Sequence, residues 1–382
     1  MRVLHVIPKL IKGGAEQFAL NLVSGLNSQP GITSVLVYWE PIFQFDASFV
    51  PLTRKISVEV ELGIGRINKR KLKPFEAFVR EFNPDIIHSH LFQAELIGRV
   101  TLFDGVQYFS TVHDNMKQLD SIWSKRWQTI PAAWWERHLA FSFYSKSNNR
   151  FLAVSKDTSA YLKRVLPEKL AERVELIYNG VPTSDFLVQE RLFPVAFSET
   201  APLRLINVGS FRPFKGQANL IKAVFNLRQK GVHVELTFLG EGQEFEACKA
   251  LATELQISKW IHFKGVVHQL QPEYAQHHLY VHASTSESFG LVLIEAMAAG
   301  LPVIALDAGG NREVLVNTTA TRMLPKDADA ECLADAILEW YQKPDLLNPA
   351  SAEAAKVAAE FDFAKTISAV VYQYQLALAK NK

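Results

Sequence analysis

The sequence lacks most of the features that would place it at a glance. Its 382 residues hold only two cysteines, Cys248 and Cys332. That excludes a disulfide-built scaffold, and neither cysteine stands among others, or among histidines, at metal-ligand spacing. A reducing cytosol is the expected setting. Charge of one sign is also lacking: 41 basic against 39 acidic residues leave a formal +2, without the broad positive surface that a nucleic-acid binder carries. No nucleic-acid partner is expected, and any anion must be met locally. No window reaches the roughly 20 unbroken apolar residues of a membrane span. The opening apolar run, Val3 to Ile7, is too short for the core of a signal peptide. A cytoplasmic protein is expected, with any membrane contact peripheral, at the inner face.

What is present is apolar mass and an internal repeat. Hydrophobic residues make up 48% of a chain longer than the size at which single cores stop growing, so two domains are expected. The segment Arg2 to Leu26 runs from a β-rich stretch through Lys12-Gly13-Gly14 into Phe18, Ala19, Leu22, Val23 and Leu26 at helical spacing. About 200 residues later Leu203 to Lys230 repeats the design. There the strand Leu203 to Val208 leads through a loop holding Lys215-Gly216 to Leu220, Ile221, Val224 and Leu227. Strand, glycine loop and helix open a doubly wound α/β domain. Further strands are expected near 34–39, 85–88, 108–112 and 150–154, then near 234–239, 261–264, 279–283 and 302–305. Their near-continuous apolar character predicts parallel sheets buried on both faces. The expected division is an N-terminal domain over 1–185 and a C-terminal domain over 200–359, linked through Pro182 to Pro202, with a last helix over 360–382 packing back on the first domain. Ligands of such sheets bind beyond the carboxyl ends of the strands, so two facing domains would enclose a cleft.

The most informative window is Ser284 to Pro302. Between Leu291 and Ala305 the only charged residue is Glu295, set among Leu293, Ile294, Ala296 and Met297. A carboxylate taken from water needs partners, and a ribose diol would supply two hydroxyl donors. Ser286, Ser288 and Gly290 suit a helix start, where free amides and the dipole attract phosphate. The bland alternative is an acidic N-cap plus a glutamate paired with a core lysine. Val208 to Gly216 holds a second candidate, Lys215, a point charge suited to a diphosphate.

These windows resemble the retaining glycosyltransferases of family four, which have the GT-B fold and whose signature is two glutamates separated by seven residues. Glu287 and Glu295 have that spacing, with Ser288-Phe289-Gly290-Leu291 following the first. The resemblance implies that Glu287 contacts the hydroxyls of the transferred sugar, Glu295 the nucleotide ribose, and the backbone of Phe289, Gly290 and Leu291 the phosphates. It gives Lys215 the diphosphate. The family usually has arginine where this chain has Ser210; Arg212 is the candidate substitute, or a solvated loop residue. In the first half Gly13 and Gly14 match the loop that borders donor and acceptor, and His113 matches the position that contacts the donor sugar. Asn179-Gly180 and Ala153-Val154-Ser155 match as cleft-shaping segments, Val266 as a border of the base, and Gly309-Gly310 as a turn beside the donor. His88 and His90 could suggest a metal, but no third ligand is expected nearby, and such enzymes generally work without one. No metal or other cofactor is expected.

The implied function is hexosyl transfer from a nucleotide-diphosphate sugar to a glycan or lipid-linked acceptor, in the assembly of cell-surface polysaccharide or glycolipid. A sugar-nucleotide epimerase on the same fold, a catalytically inactive family member and a two-domain solute-binding protein are the rivals. Trp123, Trp127, Ile130 and Trp134, with Lys125, Arg126 and Arg137, form a stripe expected to pack in the core or beside the acceptor in preference to lipid.

Overall fold

The computed structural model describes residues 1–11, 13–45, 47–58, 72–114, 130–188, 191 and 193–379. The chain divides into two compact units, Met1–Asn179 with Ala364–Lys382, and Gly180–Phe363.

The first unit is built on a seven-stranded sheet of β1 (Arg2–Val6), β2 (Thr33–Tyr38), β3 (Thr53–Lys55), β4 (Ile86–His90), β5 (Gln107–Val112), β6 (Arg150–Ala153) and β7 (Val174–Leu176). All neighbours run parallel, in the order β3-β2-β1-β4-β5-β6-β7. The second unit carries a six-stranded parallel sheet of β8 (Leu203–Val208), β9 (Val234–Leu239), β10 (Ile261–Phe263), β11 (Leu279–His282), β12 (Val303–Leu306) and β13 (Thr321–Leu324). Its order is β10-β9-β8-β11-β12-β13. Each sheet therefore grows outward in both directions from a central pair, β1 with β4 and β8 with β11. The strand order reverses there, and loops leaving the two strands diverge to leave a crevice at their carboxyl ends.

The helices after β1 and β8 follow the apolar spacing. Phe18, Ala19, Leu22, Val23 and Leu26 are all buried on the helix Gly14–Asn27, as are Leu220, Ile221, Val224 and Leu227 on Gln217–Gln229. Burying each such branched side chain stabilises the fold by about 1.5–3 kcal/mol. The last helix, Phe363–Ala379, packs in the first unit, where its Tyr374 hydroxyl meets His88 Nδ1 at 2.5 Å. Of the aromatic stripe, Trp123 and Trp127, with Lys125 and Arg126, lie outside the described residues. A helix runs from Ile130 to Lys146, and Arg137 on it lies over the Phe141 ring. No helix among the described residues is long and apolar enough to cross a membrane.

Candidate functional site

In the second unit the loop after β8 is built against the loop after β11. Gly216 ends the short turn Pro213–Lys215 at φ +70° and starts the following helix. A Cβ there would stand 2.2 Å from the Ala283 carbonyl oxygen, so only glycine lets the two loops close up. The Thr285 amide donates to Phe214 O at 2.8 Å. Lys215 is thus carried from the end of one central strand to the end of its neighbour.

There its ammonium pairs with the Glu287 carboxylate, both side chains being largely buried. The same oxygen, Oε1, lies 2.9 Å from Nε2 of His282, the last residue of β11. Burial opposes ionisation of Glu287, but the His282 hydrogen bond and the charges of His282 and Lys215 outweigh it and hold the carboxyl down to about 2. A carboxylate so depressed is a firm acceptor and a poor base. His282 was missed in the linear reading. The available signal was a histidine closing the otherwise apolar strand Leu279-Tyr280-Val281, five residues before Glu287.

The helix carrying the second glutamate, Leu291–Ala298, starts at the last of the three candidate residues. Its N-cap is Gly290 at φ +87°, with no side-chain cap, so neither Ser286 nor Ser288 caps it. The amides of Leu291 and Val292 have no acceptor among the described residues, the usual condition of a first helical turn. A second support comes from the turn at Gly310. Its amide donates to Glu287 O at 3.0 Å, and a Cβ on it would lie 2.2 Å from Ser288 O, so the turn presses directly on the backbone bearing Glu287, Ser288 and Phe289. The Phe289 side chain is buried against Phe361.

Glu295 is partly buried, and no lysine among the described residues meets it. Its partner is the buried Tyr274 hydroxyl, 3.3 Å from Oε2. Burial pushes its carboxyl up to about 7, against the smaller pull of that hydroxyl. Arg212 is exposed and holds no carboxylate among the described residues. Ser210 is exposed as well, its carbonyl accepting from Gln217 Nε2. Val266, after β10, is half exposed.

The remaining candidates of the first unit lie toward the carboxyl ends of β1, β4 and β5. Gly13 is the N-cap of the helix after β1, with Gly14 its first residue. His88 and His90 sit on β4, and His113 follows β5. One expectation is corrected here. A third imidazole does stand beside His88 and His90: His5, on β1, is paired in register with His88, and ligand atoms of the three lie within 4.8 Å of one another. A separation of 85 residues between His5 and His90 hid this, because only the β1–β4 pairing brings the two segments together.

Comparison with known proteins agrees with this fold. The family model described as Glycosyltransferase Family 4 matches residues 12–185, and that described as Glycosyl transferases group 1 matches residues 188–357. The D-inositol 3-phosphate glycosyltransferase of Nocardia farcinica is 33% identical over 218 residues, 54% of this chain and 48% of its own. The chain spans less than half the length of this and several other curated relatives. Among solved structures, sucrose-phosphate synthase from Thermosynechococcus elongatus superposes with a TM-score of 0.77 at 19% identity, over 99% of both chains. Anabaena Alr3699/HepE in complex with UDP gives 0.76 at 18%, over 99% of this chain and 100% of the other.

Proposed function

The chain belongs to glycosyltransferase family 4, with the GT-B fold, and from that premise we propose that it transfers a hexose from a nucleotide-diphosphate sugar to a glycan or lipid-linked acceptor, retaining the anomeric configuration. One observation carries the reading: Lys215 after β8 and Glu287 after β11 meet at the point where the strand order of the second sheet reverses. That is where an open α/β sheet takes its ligand.

Departure of a nucleoside diphosphate builds negative charge on the leaving phosphate and positive character on the sugar. Preorganised cations and amides therefore dominate catalysis. Lys215, Arg212 and the first amides of Leu291–Ala298 supply them in this proposal, with Phe289 and Gly290 shaping the phosphate seat and Ser288 beside it. The charge need is met by side chains, and no metal is invoked in this unit. Glu287, held ionised, accepts hydroxyls of the sugar; its depressed basicity argues against a role as base or nucleophile. Glu295 accepts the ribose hydroxyls, and Val266 borders the base. Gly13, Gly14 and His113 of the first unit are proposed to meet the sugar. Retention is proposed through attack on the same face that the diphosphate leaves.

The HepE structures hold UDP and UDP-glucose, so uridine nucleotides are the first donors to test. Thermal shifts against UDP, GDP, ADP and their sugars should show stabilisation by one series, and nucleoside diphosphate should then be released only when an acceptor is supplied. No response to any nucleotide sugar, or recovery of an epimerised sugar without acceptor, would overturn the reading.

A further inference from the structure

In the first unit three of the gathered imidazoles form a line. His5 Nδ1 lies 3.0 Å from His90 Nε2, and His90 Nδ1 lies 3.3 Å from His113 Nε2, so His90 uses one nitrogen on each side. The ring centroids are 5.3 Å apart in the first pair and 5.6 Å in the second. Those separations are what each bond plus one ring radius at either end requires, so the bonds run along the lines joining the ring centres. Ring planes inclined by only 16° and 33° keep the lone pairs on that axis. These are N–H to N hydrogen bonds, in which one nitrogen donates and the other accepts.

The same atoms do not converge on a metal. His88 spends Nδ1 on the Tyr374 hydroxyl and Nε2 on the Thr111 hydroxyl, at 2.5 and 2.7 Å. It lies against His90 with centroids 4.6 Å apart and planes 29° from parallel, where a shared ion would need its lone pair aimed at a common centre.

Burial holds His5 and His113 down to about 3, and His90 well below its ordinary value, so the rings carry one proton each near neutrality. Choosing the direction of one link then fixes the other through His90. Either direction leaves an N–H at one end of the line and a bare lone pair at the other. The two end atoms, His5 Nε2 and His113 Nδ1, are both buried with no partner among the described residues. A stranded buried N–H is rarer than an under-used acceptor, so the N–H belongs at the end nearer solvent, where a small turn of the ring can give it an acceptor. His5 is fully buried on a central strand, whereas His113 is partly exposed beyond β5.

We propose that His5 and His90 are positioning residues that lock His113 as its Nδ1–H tautomer, so that it meets the bound sugar as a hydrogen-bond donor to an oxygen. The identity of the ligand rests on the function proposed above; the tautomer does not.

The test is nitrogen NMR of the full chain labelled with ¹⁵N-histidine, read near neutral pH. His5, His90 and His113 should all show the Nδ1–H form, and the nucleotide sugar should shift the His113 Nδ1 signal without changing the tautomer. His90→Asn keeps an amide donor near the Nδ1 position and should preserve both the His113 tautomer and transfer. His90→Gln lacks a donor there and should free the tautomer and lower kcat/KM about tenfold, as expected for one hydrogen bond, with thermal stability close to that of His90→Asn. An Nε2–H form at His113, equal behaviour of the two variants, or a stoichiometric metal lost with His5→Phe would overturn the proposal. The Nδ1–H form in the free protein with no response to any nucleotide sugar would uphold the lock and sink the donor reading instead.

Discussion

Replacing Glu295 by glutamine should make the unliganded protein more stable at neutral pH and a poorer binder of its donor. Burial raises this carboxyl from 4.5 to about 7, so the folded chain holds the proton more tightly than the unfolded chain. The stability this provides is fully present below pH 4.5 and is lost as pH rises through about 7. The loss amounts to about 3 kcal/mol at pH 8. Glutamine keeps the shape without the charge, so Glu295→Gln should recover roughly 2–3 kcal/mol at pH 8 and almost nothing near pH 4. Donor binding should run the other way. Two ribose hydroxyls need two acceptors, which only the ionised acid offers without a competing proton. The affinity of the parent should therefore rise about tenfold between pH 6 and pH 8 and then level off. The variant should be flat over that range and weaker by about 10- to 100-fold, as for a lost hydrogen bond to a charged group. Calorimetry with the intact nucleotide sugar reads this cleanly, because its diphosphate has no terminal phosphate titrating near neutrality; urea melts at pH 4 and pH 8 read the stability. A parent affinity that stays flat from pH 6 to pH 8, or a variant no more stable at pH 8 than at pH 4 relative to the parent, would refute the reasoning.

Lys215→Ala should lower kcat by on the order of 10²-fold, the usual cost of losing one preorganised group at a developing charge; equal turnover would remove Lys215 from the mechanism. His282→Phe removes the donor 2.9 Å from Glu287, so the Glu287 carboxyl should climb from about 2 toward 4.5. Because a depressed value gives stability and ionisation that are lost as pH falls, the acid limb of the kcat/KM profile should move to higher pH, and an unmoved limb would contradict the role given to His282. Gly310→Ala would place a Cβ 2.2 Å from Ser288 O and 2.5 Å from Phe289 Cα. It should cost about 1–3 kcal/mol of stability and weaken donor binding, whereas parent-like binding would show that the turn does not set the 287–289 backbone.

Most of the fold was legible because the central strands are apolar on both faces. Runs such as Leu205-Ile206 and Val303-Ile304-Ala305 have no polar alternation, and each glycine loop marks where a strand hands over to a helix. The strands that escaped the linear reading are β3, β7 and β13, all at sheet edges. Thr53-Arg54-Lys55, Val174-Glu175-Leu176 and Thr321-Arg322-Met323-Leu324 are half polar because an edge strand faces water on one side. The site divides along the same line. Lys215, Glu287 and Glu295 lie in short continuous windows, and it is the resemblance of those windows to a family pattern that singles them out. His282, Tyr274 and the partnership of His5 with His90 depend on strand pairing and helix packing between distant segments, which spacing along the chain does not encode.

The ion pair between Lys215 and Glu287 invites the objection that the two groups neutralise each other and leave nothing for a substrate. The atoms say otherwise. An ammonium has three donors, and Glu287 takes one of them, so two remain for phosphate oxygens. Of the two carboxylate oxygens, Oε1 receives both Lys215 and His282, while Oε2 has no partner among the described residues and is not sealed from solvent. The pair consumes the inner half of each group and orients the outer half. Breaking a largely buried pair by removing one partner is costly because the other charge is stranded, so this arrangement also explains why the two side chains should stay in place when no donor is bound. A substrate that brings a diphosphate to Lys215 and hydroxyls to Glu287 adds partners to both without separating them. The ordering is in place before the ligand arrives, as differential stabilisation of a developing charge requires.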